Sequence, residues 1–278
     1  MNGKWYIVVT IWSTWLFAFT FHDDLIPMTF DGQTLDKPFL GGFNRPKIQW
    51  IDWDEDEDID LFILDASGYL RYMENQGSES SSNFKLITAS FQDIFCGGWF
   101  YFADYDFDGD LELTAQNGDD PDHISYFKNE EGTFYFTHVL SDVDGDYVMS
   151  SSVMTPTFAD IDGDYDLDFF TGNMVGTLTY YENTGLSNGL PQMEFITNQW
   201  QDIYIVGGTR TDDRHGASAI TFIDLDADGD LDLSWGDYFQ QSLYIIWNSG
   251  SAQSPEMNTV TTEYPPNDPI ISAGQNMP

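Results

Sequence analysis

The chain has 278 residues, of which 41% are hydrophobic and 17% aromatic, so it can bury a substantial core. Its 47 acidic residues outnumber 9 basic ones and give a net charge of −38. This balance argues against nucleic acid and anionic membrane surfaces as partners, because both require clustered Lys and Arg.

The N-terminal segment carries one Lys ahead of an apolar run at 5–21. This pattern is typical of a secretory signal peptide, or of an uncleaved signal anchor, over residues 1–22. We therefore expect a secreted, extracellular or cell-surface protein whose folded region is 23–278, with no membrane span beyond that anchor. The single cysteine, Cys96, excludes an intramolecular disulfide and is expected to be a buried small hydrophobe.

An internal repeat occupies the folded region. Four segments share an aromatic residue, a small or aliphatic residue and then alternating aspartates, which places acidic loops at 52–60, 104–112, 160–168 and 224–232. A second landmark follows each loop, and its asparagine lies 23 to 25 residues after the leading aspartate. It consists of an apolar residue, a Tyr or Ile, an Asn and a Gly, and its asparagines are Asn75, Asn129, Asn183 and Asn248.

The stretches between these landmarks predict β-strands and no helix. Short apolar runs follow the loops at 61–64, 111–115, 169–171 and 231–235, and alternation around 70–72 and 178–180 adds a third strand. Further strands are predicted at 84–87, 134–139, 195–196 and 257–264. Four strands in about 50–60 residues is the size of one propeller blade. The recurring Tyr72, Tyr126 and Tyr180 occupy one repeat position and are expected to be structural.

The acidic loops indicate sites for a hard divalent cation. Calcium takes about six to eight oxygen ligands, and aspartates at positions 1, 3 and 5 of a tight loop direct three carboxylates inward. Position 7 offers a carbonyl, an acid at position 9 completes the shell, and glycine at position 6 permits the bend. Loops two and four carry Gly109 and Gly229 at position 6, loop three has Gly163 at position 4, and loop one has no glycine. Loops two and four are therefore expected to bind best and loop one least.

Two other calcium motifs do not match these loops. An EF-hand needs a bidentate Glu at position 12 between helices, whereas position 12 is Ile63, Ala115, Thr171 or Trp235 and the flanks predict strands. The glycine-rich nonapeptide of parallel β-rolls is also absent from the sequence. A fifth acidic stretch, 142–146, lacks an acid at position 9 and is expected to be a surface turn.

The pattern Phe-x-Asp-x-Asp-x-Asp-Gly-Asp-x-Asp-Leu resembles the FG-GAP/VCBS repeat, which is found in integrin α-subunit propellers and in many secreted bacterial proteins. The resemblance extends from Trp50 to about Gly250. It implies an all-β fold, a β-propeller of four-stranded antiparallel blades, with Ca²⁺ in the hairpin loops and up to four ions in this chain. Position 7 would act through its carbonyl. The ligands that the resemblance implies are Asp52, Asp54, Asp56, Asp58, Asp60, Asp104, Asp106, Asp108, Asp110, Glu112, Asp160, Asp162, Asp164, Asp166, Asp168, Asp224, Asp226, Asp228, Asp230 and Asp232.

The number of blades does not match the usual seven. Four loops mark at least four blades, whereas seven at this spacing need roughly 400 residues. We expect a fragment of a seven-bladed propeller, truncated at the C-terminus. The rival expectation is a complete small propeller in which residues 28–35 pair into the last blade.

Two functional classes are consistent with the sequence. The first is a non-enzymatic module for protein or glycan interaction and adhesion, in which calcium is structural. The second is a carbohydrate-active domain, a lectin or a polysaccharide lyase-like propeller. Aromatic residues that either stack on sugars or form inter-blade core are Trp99, Phe100, Tyr101, Trp200, Trp235 and Tyr238.

No enzymatic activity is predicted. The sequence contains no nucleophile elbow, zinc-protease helix or phosphate-binding loop. The insertion at 209–215 concentrates two basic residues and a histidine, and it is either a contact for an acidic ligand or a solvated loop.

Overall fold

The structure is a computed structural model that describes residues 28–34, 43–44, 46–78, 81–151, 155–204, 219–236 and 243–265. The expected signal segment 1–22, the insertion 209–215 and Tyr238 lie outside the described residues. The chain forms two compact units, Met1–Gly42 and Phe43–Pro278. In the first unit, β1 (Thr29–Phe30) pairs with β2 (Gln33–Thr34) as a two-stranded antiparallel sheet.

The second unit contains four four-stranded antiparallel sheets, the blades of a β-propeller. In every blade the order of the strands in the sheet is their order in the chain. Blade one is β3 (Lys47–Ile51), β4 (Asp60–Leu64), β5 (Leu70–Asn75) and β6 (Phe84–Thr88). Blade two is β7 (Phe100–Ala103), β8 (Glu112–Gln116), β9 (Ile124–Glu130) and β10 (Thr133–Val139). Blade three is β11 (Thr157–Ala159), β12 (Asp168–Gly172), β13 (Leu178–Ser187) and β14 (Leu190–Thr197). Blade four is β15 (Ala219–Ile223), β16 (Asp232–Gly236), β17 (Tyr244–Asn248) and β18 (Met257–Thr261).

These elements confirm the all-β fold and the predicted strands. The expectation of a seven-bladed parent remains a prediction. No helix in the described part of the chain is long and apolar enough to cross a membrane. The acidic stretch 142–146 is the predicted surface turn, in which the Asp146 carbonyl accepts a hydrogen bond from the Asp142 amide at 2.7 Å.

The second strand of each blade carries the packing between blades. Successive side chains of a strand point to opposite faces, so one strand can serve two neighbours. On β12, Phe169 packs in a cluster with blade two, whereas Phe170 packs in a cluster with blade four. A third cluster joins blades one and two, where the Phe62 and Phe102 rings lie 4.8 Å apart. Burial of these aromatic faces gives the fold most of its hydrophobic stabilisation.

The aromatic residues considered as sugar platforms belong to this core. Trp99 is 1% exposed, Trp235 is fully buried, and Phe100 and Trp200 are also buried. Tyr101 donates a hydrogen bond to the Phe158 carbonyl of the next blade at 3.3 Å. The stacking interpretation is therefore wrong for these residues, because their rings fill the space between blades. Cys96 is buried as predicted.

Two short 3₁₀ turns connect a blade to the next and share the sequence aromatic-Gln-Asp-Ile. The turn Phe91–Asp93 lies between blades one and two, and the turn Trp200–Asp202 lies between blades three and four. The aromatic residue of each enters the inter-blade cluster. The glutamine, Gln92 or Gln201, donates a hydrogen bond to a backbone carbonyl of the next blade. This second repeated motif was not predicted.

Candidate metal centre

Each acidic loop joins the first and second strands of its blade, and the leading aspartate at position 1 organises the loop. In loop four the two oxygens of Asp224 accept hydrogen bonds from the amides of Asp228 and Gly229, at 3.2 and 3.1 Å. Asp52 and Asp160 accept the same pair of bonds in loops one and three. The carboxylate therefore shapes the turn in addition to facing its centre.

Two positions of every loop have left-handed backbone, not only the one expected. Position 6 has φ between 73° and 98°, and position 4 has φ between 59° and 76°. Loops two and four place glycine at position 6, loop three places Gly163 at position 4, and loop one has Glu55 and Glu57 at the two positions. All four loops adopt the same shape. Loop one therefore reaches this conformation without glycine, but with backbone strain at both positions.

The carboxylates at positions 1, 3 and 5 converge in all four loops. In each loop they offer three oxygens that lie within 4.8 Å of one another. Because calcium binds oxygen at about 2.3–2.6 Å, two oxygens on opposite sides of one ion are separated by about 5 Å. Each cluster can therefore share a single ion. The clusters are Asp52, Asp54 and Asp56; Asp104, Asp106 and Asp108; Asp160, Asp162 and Asp164; and Asp224, Asp226 and Asp228.

The predicted ligands at position 7 are outside these clusters, but their side chains are buried in three loops. Asp58, Asp166 and Asp230 are 8%, 7% and 7% exposed, and each has one carboxylate oxygen with no hydrogen-bond partner. In loop two Asp110 is exposed, and the unpartnered buried oxygens belong to Asp104, Asp106 and Glu112 instead. Unpaired buried oxygens in an acidic loop fit a cation, which would supply the missing partner.

Burial and mutual repulsion raise the pKa of several loop acids. Desolvation, with a contribution from Asp164, raises the pKa of Asp166 to about 7. Desolvation raises the pKa of Asp168 to about 8 and of Glu112 to about 7. A cation at the loop centre would oppose these shifts, because it favours the ionised form.

The acid at position 9 is fully buried and holds the loop to the third strand. In blade four one oxygen of Asp232 accepts a hydrogen bond from the Leu225 amide at 3.3 Å, and the other accepts one from the Asn248 amide at 2.8 Å. Asp60 and Asp168 make the same pair of bonds. These predicted ligands therefore have a structural role of their own, and the recurring Asn is their partner.

The recurring asparagine side chain continues this connection into the next hairpin. The Asn248 side-chain oxygen accepts hydrogen bonds from the Gly250 and Glu256 amides at 3.0 and 2.8 Å. Asn75 and Asn183 repeat the arrangement. This explains why the spacing from leading aspartate to asparagine is nearly constant.

The recurring tyrosines are buried, as predicted. The Tyr72 hydroxyl donates to Asp60 at 2.9 Å, and Tyr180 is hydrogen-bonded to Asp168. In blade two, where position 9 is the longer Glu112, the Tyr126 hydroxyl and one Glu112 oxygen are buried and have no partner.

Loop two differs from the others by having a lysine at its cluster. The Lys128 ammonium on β9 contacts Asp106, and it lies 3.3 Å from an oxygen of Asp108. The contact with these carboxylates raises the pKa of Lys128. Sequence reasoning missed this residue, because its distance from the loop along the chain hides the contact.

The first three acidic loops lie beside the hairpin that joins the third and fourth strands of the following blade. Loop one and the hairpin at 129–132 line an open cleft of about 600 Å³, to which Asp110 and Glu131 add further carboxylates. Gly189 of blade three lies against Asp106 of loop two, and Gln253 of blade four lies against Gly163 of loop three. The loops therefore sit at the seams between blades.

Comparison with known families agrees with this architecture. Residues 52–115, which run from loop one through β8, match the model of the FG-GAP-like repeat. No curated protein matches the chain. The matched segment contains the acidic loops of two blades, and the same loop geometry recurs in blades three and four. Residues 52–115 are therefore similar to the FG-GAP-like repeat, and the described part of the second unit has a β-propeller fold.

Proposed function

We propose that this chain is a secreted or cell-surface interaction module in which calcium ions stabilise the propeller. The observation that carries the proposal is the convergence of three carboxylates in every acidic loop, together with buried carboxylate oxygens that have no partner. Like charges at this distance repel one another, and a bound cation would offset that repulsion.

In this proposal the chain's own residues perform two tasks. The side chains at positions 1, 3 and 5 hold the ion, and position 7 adds its carbonyl. The acid at position 9 keeps the loop on the third strand through bonds such as that from the Asn248 amide to Asp232. The bound ion supplies positive charge that offsets the repulsion among the carboxylates. Calcium then contributes to stability by binding the folded state preferentially.

A protein partner is favoured over a glycan. The candidate stacking residues that the structure describes are inside the inter-blade core. FG-GAP repeat propellers as a class point to protein interaction, and we extend this to the present chain, with adhesion as its role. We infer secretion from the apolar N-terminal run.

The first test is thermal unfolding of calcium-free and calcium-saturated protein. We expect the melting temperature to rise by several degrees or more with calcium, and to fall again when EDTA is added. An Asp226→Asn variant should lose one ion per chain in calorimetric titration.

Asp144→Asn is the matched control, since Asp144 lies in the acidic turn 142–146 and belongs to none of the four clusters. It should bind as many ions as the unmodified protein. An unchanged melting temperature in EDTA would refute structural calcium. A glycan array probed with calcium-loaded protein is expected to be negative, and specific glycan binding would instead support the carbohydrate-binding alternative.

A further inference from the structure

One position of the third strand differs among the blades in charge, and it lies beside the acidic loop. Strand pairing aligns Met73, Phe127, Tyr181 and Ile246, which lie opposite Leu61, Leu113, Phe169 and Leu233. The next residue in each strand therefore occupies an equivalent site. These residues are Glu74, Lys128, Glu182 and Trp247.

The two glutamates add negative charge to their loops. By strand register, Glu74 on β5 and Glu182 on β13 occupy this position beside loops one and three. In blade four Trp247 brings no charge and donates its indole N–H to Thr261 at 2.8 Å.

Lys128 brings the opposite charge to loop two. Its ammonium contacts the carboxylates at positions 3 and 5, which are two of the three that converge in that loop. The Asp106 side chain is 6% exposed and the Lys128 side chain is 33% exposed, so this contact is partly removed from solvent. An ammonium at this place offsets the charge of two of the three carboxylates that would hold an ion, and it repels a second cation. The lysine does not contact Asp104, and one buried oxygen of Asp104 and one of Asp106 have no hydrogen-bond partner.

We propose that Lys128 is the resident cation of loop two, and that this loop holds its shape without calcium while loops one, three and four require the ion. The inference rests on the proposed calcium binding of those three loops. It reverses the ranking expected from glycine placement, in which loop two was among the best sites. The charge of the residue on the third strand, and not the position of glycine in the loop, then decides which loops bind calcium.

The first experiment counts calcium ions per chain by calorimetric titration of EDTA-stripped protein. The described part of the unmodified chain has four clusters, of which one is filled by lysine in this proposal, so three ions are expected. Lys128→Met keeps most of the aliphatic side chain, removes the charge, and should bind one ion more. Lys47→Met, at the end of β3 that is away from loop one, is the control and should leave the count unchanged.

The second experiment transfers the lysine to another blade. Glu182→Lys should lower the count by one ion, because it places an ammonium beside loop three, whereas Glu182→Gln should retain the ion. Melting temperature gives an independent readout. In EDTA, Lys128→Met should melt below the unmodified protein, and calcium should restore most of the loss, which a purely structural defect would not show.

The outcomes separate this inference from the proposed function. Four ions in the unmodified protein and no change in Lys128→Met would overturn the role of Lys128 and leave calcium binding intact. If no variant binds calcium, the proposed function fails and the inference fails with it. A loss of stability in Lys128→Met that is equal in EDTA and in calcium would also refute the inference.

Discussion

At the scale of single residues, the acidic loops have more left-handed backbone positions than their sequences have glycines to fill them. Positions 4 and 6 are left-handed in all four loops, yet glycine occupies only one of them in three loops and neither in loop one. An L-residue in this region costs about 1–2 kcal/mol. Loop one therefore folds against two such penalties.

Glycine substitutions should show this strain directly. Gly109→Ala should destabilise the protein by about 1 kcal/mol, because an added Cβ meets no atom within 4 Å and only the backbone penalty remains. Tyr165→Gly should stabilise it by up to about 1 kcal/mol, since Tyr165 is 85% exposed and has φ of 77°. Urea unfolding in saturating calcium measures both. Opposite signs of the two effects are required, and two losses of stability would contradict this account.

At the scale of one element, the acidic loop with its third strand behaves as an electrostatic unit. Asp168 has a folded-state pKa of about 8, well above the ordinary value of 3.8 for an aspartate. Between these values the folded state binds more protons than the unfolded state, so the stability of calcium-free protein falls as pH rises. The same sign applies to Asp166, whose pKa is raised to about 7.

Melting temperature against pH tests this unit. In EDTA the melting temperature should decline from about pH 5 to about pH 8, because these carboxyls must ionise in a crowded site. In saturating calcium the decline should be much smaller, since the ion favours the ionised carboxylates. Asp168→Asn should also reduce the slope in EDTA. Equal slopes with and without calcium would show that the metal does not reach these groups.

The loop also shows where sequence reasoning ends. Strands, blades and acidic loops were predictable, because alternation and the repeated aspartates are local signals. The recurring Asn was visible as a landmark, but its bond to the position 9 acid depends on pairing between β16 and β17 or their equivalents. Lys128 was not found, because only strand register brings it to a loop about 20 residues away in the chain.

At the scale of the whole molecule, successive blades are joined by apolar clusters and by a repeated glutamine. Gln92 donates to the Gly132 carbonyl at 2.7 Å and accepts from the Phe134 amide at 2.9 Å, so it joins the end of blade one to the outer strand of blade two. Gln201 donates to the Pro255 carbonyl in blade four at 2.8 Å. Propeller blades depend on such nearest-neighbour contacts as well as on their own cores.

Removal of this glutamine should loosen one seam and leave the others intact. Gln92→Ala is expected to cost about 1 kcal/mol and to accelerate hydrogen exchange of the Phe134 amide. Exchange at the equivalent seam between blades three and four should not change. Gln76→Ala is the control, because the Gln76 side chain donates its hydrogen bond to the nearby Glu74 within blade one. Uniform acceleration across all blades would mean that the glutamine supports global stability and not one seam.

The acidic loops all join first to second strands, so they share one end of the propeller. They hold 22 of the 47 acidic residues, so a large share of the negative charge lies at that end. Each bound calcium would remove two negative charges from this end alone. The rate of association with a charged partner would then depend on the external calcium concentration. This would hold even where no metal ligand contacts the partner.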